Sequence, residues 1–423
     1  MKNVISTSNI AQTVPAAAAA VRSASPSPEV NTLYNSQAAC LVFSCGIVFK
    51  VSSLPGLVYS EMRSDTLWLY LFMIALDLLC LAATFFFASC GADEKLSAQN
   101  SPAYRALSAA TSLYLMLKGL VYFVYTVVFL MVDLFVGVPP YVVVFILTLP
   151  VIYLGCKGLR GISRCAELLA PVLLFILLAN FVFLETELDA GRNLPLKAMP
   201  TEEFFSRGLL FGMWLGDCFP MLFASVKKKK APFLTLGTGI SYSLVAVTAM
   251  LAVAMYGDAL PYVYNMLIRL SGFNKLSLEI GRLEWAAILV VIVMAMLALS
   301  LHMWGAAEGC RRATGSPLPA RLTFAAAIIV VPLAVPTMQD IIEFSMTGFG
   351  YAMFALSLSI AAAYFLAALR ARKRGASPAD GEDSRTTHDG APGCGKTHAK
   401  ENTAPSAPAI HSCGEGAEGG IRE

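Results

Sequence analysis

Apolar residues in this chain run in long blocks instead of alternating with polar ones. Ten blocks of roughly 20 residues, the length that spans a hydrocarbon core, lie at about 36–58, 66–88, 106–132, 139–156, 163–184, 205–226, 231–256, 284–306, 318–336 and 344–369. The blocks predict an all-α polytopic membrane protein with ten transmembrane helices. Two of them are interrupted. The first reads "CGIVFKVSSLPG", with Gly46, Lys50, Ser52, Ser53, Pro55 and Gly56 close together. The sixth reads "MWLGDCFPM", with Gly216, Asp217, Cys218 and Pro220. Ten spans divide into two sets of five, so these two interrupted spans hold matching positions. That is the pattern of an inverted repeat with broken helices 1 and 6 and a site at the midplane. Unwound backbone at that depth exposes N–H and C=O groups that a ligand, an ion or water must satisfy.

The flanks read differently. Residues 1–33 are rich in Ala, Ser and Pro and predict a disordered cytoplasmic extension; a cleaved signal peptide is the competing reading, but the first span can itself direct insertion. Residues 34–369 form the permease-like membrane domain, and residues 370–423, rich in Gly, Ser, Pro and charge, predict a disordered cytoplasmic tail.

Composition agrees with a membrane chain: 57% of residues are hydrophobic, 14% are charged, and the net charge of +3 points to no nucleic-acid partner. The ten cysteines are scattered, most within apolar blocks, and describe no disulfide framework. Basic residues set the orientation. With a cytoplasmic N-terminus, sixteen fall inside (Lys95, Arg105, Lys157, Arg160, Arg164, Lys227–Lys230, Arg311, Arg312, Arg321, Arg370, Arg372, Lys373 and Arg374). Seven fall outside: Arg63, Arg192, Lys197, Arg207, Arg269, Lys275 and Arg282. Both termini are therefore expected on the cytoplasmic side.

The tail contains "GAPGCGKT", residues 390–397, which matches the phosphate-loop pattern letter for letter. That loop works only between a buried strand and a helix, and its polar flanks supply neither. Cys394, His398, His411 and Cys413 nearby are spaced too loosely to define a zinc site. No cofactor or metal is expected. No nucleophile–base pair stands out in the spans, so an enzyme is not expected either.

Ionisable residues inside a membrane point to function, each against a plainer reading. Asp217 is a ligand or coupling group, or caps a broken half-helix. Lys50 faces the site, or reaches to the outer surface. Lys118, with Tyr122 and Tyr125 on roughly one face, serves the cavity. Asp77 is a structural partner for a lysine, and His302 is read as interfacial. Because Lys50 and Asp217 occupy equivalent broken spans, they are expected to pair, and a zwitterionic amino acid would displace that pair. The candidate ligand-binding set is Lys50, Ser52, Ser53, Lys118, Tyr122, Gly216, Asp217 and Cys218. The segment 258–283 places Leu260, Val263, Leu267 and Leu270 at helical spacing, which suits a lid over the outer mouth or an interfacial helix packed on the bundle.

Several stretches, taken in order, resemble one family. They are "YNSQAACLVF" with Gln37, Pro55 followed by "SDTLWLYL", and "KGLRGISRCAELLAPVLL" with Arg164, Glu167 and Pro171. "LPYVYNMLIRLSGFNKLSLEIGRLEW" follows, with Pro261, Arg269, Arg282, Leu283 and Glu284. The chain resembles the spore germination permeases, the B subunits of spore nutrient-germinant receptors in the amino acid–polyamine–organocation superfamily. Leu215, Gly216 and Asp217 stand where that family often has Phe-Gly-Glu, so the carboxylate is one methylene shorter. The resemblance implies a five-plus-five inverted repeat, a small nutrient ligand such as an amino acid, partner A and C receptor subunits, and a spore inner membrane or bacterial cell membrane. A secondary amino acid transporter coupled to proton or sodium is the alternative function, because both need the same cavity.

Overall fold

The computed structural model describes residues 32–98, 101–182, 184, 188–193, 198–226, 232–263, 265–272, 284–334 and 338–374. The run Lys227–Lys230, Lys275, Arg282, the loop at 390–397 and the Cys/His group of the tail lie outside the described residues.

The first apolar block forms two helices, α1 (Asn35–Ser52) and α2 (Leu54–Met62), joined at Ser53. Pro55 has no N–H for the carbonyl one turn earlier. Ser53 nevertheless keeps φ −103° and ψ −30° and donates its N–H to the Phe49 carbonyl at 3.2 Å, so this span does not unwind. There follow α3 (Thr66–Ser89), α4 (Ala92–Ala98), α5 (Pro102–Asp133), α6 (Pro140–Lys157) and α7 (Leu159–Val182). The sixth block starts as α8 (Thr201–Gly208) and then leaves the α-helix. After it come α9 (Pro232–Tyr256), α10 (Met266–Gly272), α11 (Glu284–Thr314), α12 (Leu318–Ala334), α13 (Met338–Ser345) and α14 (Gly348–Arg374).

Among the described residues, seven helical segments are long and apolar enough to cross a membrane, and they carry blocks 2, 3, 4, 5, 7, 8 and 10. The other three blocks differ in kind: the first is divided at Ser53, the sixth is unwound, and the ninth, α12, has only 17 residues. The protein is an all-α polytopic membrane protein. Two boundaries also move. Thr32 and Leu33 pair in a short strand, and α14 stays helical through Arg370 to Arg374.

Bilayer-facing helices are apolar outward: Leu149 on α6 and Leu168 and Phe175 on α7 are about 70% exposed (69%, 74% and 73%), as lipid contact requires. The core lies around α1, α5 and α11. Helix α11 packs along α5, and α1 packs against α9, α7 and α11. Small residues permit the closest approaches. A Cβ at Gly212 would sit 2.1 Å from the Phe354 Cβ, and one at Gly350 would sit 2.1 Å from the Leu210 carbonyl oxygen, so α14 lies directly on span 6.

Polar ties hold the ends of the bundle. Ser36 Oγ donates to Glu167 Oε1 at 2.8 Å and Gln37 Nε2 to Oε2 at 3.2 Å, fastening the start of α1 to α7. Thr32–Leu33 pairs in parallel with Ser225–Val226 at the exit of span 6. At the opposite end of α1 and α2, buried Asp65 accepts the backbone N–H groups of Ala198 (2.8 Å) and Met199 (2.7 Å). Between these ends, Asp258 accepts from the Tyr59 hydroxyl at 3.2 Å, docking residues 257–262 on α2.

Candidate functional site

Span 6 explains why its sequence carries both breakers. After α8 the chain tightens into a 3-10 segment, Leu209–Trp214, and opens to extended backbone at Leu215 (ψ 156°). It turns at Gly216 (φ +74°) and resumes as a second 3-10 segment, Phe219–Phe223, with Pro220 in its first turn. A side chain at Gly216 would carry the strain of a positive φ, and its Cβ would lie 2.6 Å from the Phe219 ring. The backbone groups released by unwinding are met by side chains. Tyr114 Oη donates to the Leu215 carbonyl at 2.6 Å, Lys118 Nζ donates to the same oxygen, and the Gly216 N–H donates to Asp77 Oδ1 at 2.9 Å.

Around this break sit two lysines and two aspartates, all buried: Lys50, Lys118, Asp77 and Asp217. Lys50 Nζ lies 2.8 Å from Asp217 Oδ2 and also pairs with Asp77 Oδ2; Lys118 Nζ lies 2.7 Å from Asp217 Oδ1. The charges thus form a chain, Asp77–Lys50–Asp217–Lys118, contributed by α3, α1, span 6 and α5. Two positive and two negative groups cancel, which is what an interior that cannot hydrate ions demands. Phenols complete the set: Tyr122 Oη donates to Asp217 Oδ1 at 2.7 Å and Tyr242 Oη to Asp77 Oδ2 at 2.8 Å. Tyr70 Oη donates to the Lys50 carbonyl at 3.1 Å.

Aromatic rings wall the quartet. Tyr122 stacks on Phe49 with centroids 3.8 Å apart and touches Trp214 (5.6 Å) and His302 (5.5 Å). Trp214 also packs on Tyr125 at 5.6 Å. Among the described residues, Trp214 Nε1 and His302 Nε2 are buried without a hydrogen-bond partner. The voids touching the quartet are small, about 10 Å³ each. That is room for one water at most. A larger cavity of about 130 Å³ lies beyond Tyr125, lined by Ser53, Gly56, Val263, Asn265 and Ile342.

The residues singled out in sequence therefore separate. Lys50, Lys118, Tyr122, Gly216 and Asp217 converge on the quartet. Ser53 lines the larger cavity, and Ser52 Oγ turns back to its own helix at the Val48 carbonyl, 2.6 Å away. Cys218 lies beside Thr84, with Sγ 3.7 Å from its hydroxyl. Lys50 does not reach to the surface; its side chain is 7% exposed. His302 is not interfacial: it is fully buried against Tyr122. Tyr125 lies on the Tyr122 face but meets Trp214 and Ser345 instead of the quartet. Tyr70, Tyr114, Trp214 and Tyr242 belong to the site and were not singled out. Their only sequence signal is a polar aromatic within an apolar block.

In the 258–283 segment, Leu260, Leu267 and Leu270 are buried and Arg269 is exposed, while residues 273–283 lie outside the described residues. Residues 257–262 form a 3-10 turn, so the helical spacing seen in sequence belongs to two short pieces.

No curated protein matches the chain. The family model described as spore germination protein matches residues 37–342. The match starts at the Gln37 that bonds Glu167, takes in all four charged residues of the quartet, and covers most of the membrane domain. The chain belongs to the spore germination permease family of integral membrane proteins.

Proposed function

We propose that this protein is the membrane subunit of a spore germinant receptor that binds a small zwitterionic nutrient, an amino acid, between spans 1 and 6 and signals by changing conformation. On this reading the ten blocks form two inverted sets of five, both termini are cytoplasmic, and A and C receptor subunits read out the change. The carrying observation is Asp217, held at an unwound break between two lysines. A zwitterion can replace that arrangement without changing the net charge. Its carboxylate takes Lys50 or Lys118, and its ammonium takes Asp217. The unpartnered Trp214 Nε1 and His302 Nε2 leave hydrogen-bonding capacity beside it.

The voids at the quartet are too small for such a ligand, so binding requires spans 1 and 6 to part. A ligand that binds the parted state better than the closed one shifts the population toward it. Tyr125 and Trp214 stand between the 130 Å³ cavity and Tyr122, so parting them opens a way in.

The test is equilibrium binding and uptake of a radiolabelled amino-acid panel by purified protein in liposomes, with Asp217→Asn alongside and its thermal midpoint recorded. Binding without flux, weakened in the variant for zwitterions more than for uncharged ligands, is the expected result. Saturable uptake that the variant abolishes would instead make the protein a secondary transporter. Equal losses for charged and uncharged ligands would sink the exchange.

A further inference from the structure

A further recess shares no residue with the quartet. Between α4, the first turns of α5 and the last turns of α14 opens a groove of about 530 Å³. Its wall is mostly apolar, formed in part by Leu96, Leu107, Leu366 and Ala367 and interrupted by Tyr104, and the exposed Lys95 and Arg370 also line it. Ala363 also lines it, seven residues before Arg370, so along α14 the groove runs about 10 Å from a cationic to an apolar end. Leu366 is half exposed, so the groove opens sideways where acyl chains lie.

The two cations are available. Among the described residues neither Lys95 nor Arg370 has an ion-pair partner. Asp93, the described carboxylate on α4, is taken by Arg312 through two contacts, Nε–Oδ1 at 3.0 Å and Nη2–Oδ2 at 2.6 Å. A groove with two cations unpaired among the described residues and an apolar wall along α14, a helix long and apolar enough to cross a membrane, fits an amphiphile with a phosphate head. Basic pockets between spans bind anionic head groups for this reason.

We propose that this groove is a binding site for an anionic phospholipid, its phosphate between Lys95 and Arg370 and an acyl chain along Leu107 and Leu366. Tyr104 lines the same groove and donates its hydroxyl to Asp93. The lipid therefore rests against the contact that joins α4 to α11, and its occupancy bears on how firmly those helices are held together. The inference does not depend on the nutrient reading above.

The experiment is native mass spectrometry of the full chain released from mixed micelles of phosphatidylglycerol and phosphatidylcholine. Lys95→Gln/Arg370→Gln is compared with wild type; both positions are exposed, so folding should survive, and the thermal midpoint checks it. Ala367→Phe, which fills the apolar wall and keeps both charges, is the second variant. Wild type should retain phosphatidylglycerol in preference to phosphatidylcholine. The double variant should bind it about thirtyfold more weakly, and Ala367→Phe should also lose it. Equal retention of both lipids, or of phosphatidylglycerol by wild type and both variants, would overturn the proposal. Displacement by inorganic phosphate with no loss in Ala367→Phe would also overturn it, leaving a site for free anions.

Discussion

Asp217→Asn removes one charge from a buried set that sums to zero, without removing volume. Two lysine ammonium groups lie 2.8 and 2.7 Å from the carboxylate. At an effective dielectric constant of about 20, each such pair attracts by roughly 6 kcal/mol before desolvation is counted. The variant loses both attractions and recovers the cost of burying the aspartate, but it leaves Lys50 and Lys118 facing Asp77 alone. Breaking a buried pair from one side costs about 3–5 kcal/mol, which for a chain of this size lowers the thermal midpoint by about 3–6 °C. Charge balance makes a sharper demand. Asp217→Asn/Lys118→Met restores one lysine to one aspartate, Lys50 with Asp77, while Tyr114 still serves the Leu215 carbonyl. The double variant should regain at least half of the lost midpoint, measured by tryptophan fluorescence in detergent. A double variant as unstable as the sum of the two single changes would refute the account of the quartet as a neutral unit.

Gly212→Ala forces a Cβ to within 2.5 Å of the Phe354 Cα, so α14 must shift from span 6. The expected cost is about 1–3 kcal/mol, seen as a lower thermal midpoint. Asp93→Asn weakens the two-point contact with Arg312. It should cost about 1.5–3 kcal/mol and speed hydrogen exchange across Ala92–Ala98, leaving the Asp217 surroundings protected.

The sequence showed where the seven membrane-crossing segments lie and where the sixth block breaks, because both depend on local properties. A Gly at +74° with Pro220 four residues on cannot continue a helix, and the reading at span 6 needed no tertiary information. Lys50, Lys118 and Asp217 stood out because charge in an apolar block has few plain explanations. Tyr242 and Tyr114 did not, because a tyrosine's part depends on how its helix is rotated about its own axis, which hydropathy cannot report. His302 was misplaced for a different reason. The apolar block ends near residue 306, but α11 continues to Thr314 through Glu308, Arg311 and Arg312, whose charges compensate one another. A residue that seemed near a helix end therefore lies well inside. At span 1 the Pro and paired serines suggested unwinding, yet Ser53 kept helical dihedrals and the chain resumed as a helix at Leu54.

The two-residue strand pairing has a mechanical consequence. Thr32–Leu33 enters α1, and Ser225–Val226 leaves the stretch that carries Asp217. Joined there, spans 1 and 6 share a pivot at one end; at the other they meet through the Arg207 side chain, which donates to the Glu61 carbonyl at 3.1 Å, so splaying there breaks a side-chain contact and leaves the strand pairing intact. Displacement grows with distance from the pivot and is greatest on the side of the 130 Å³ cavity. Force applied to the chain ahead of Thr32 would reach the unwound segment directly, without passing through the bundle.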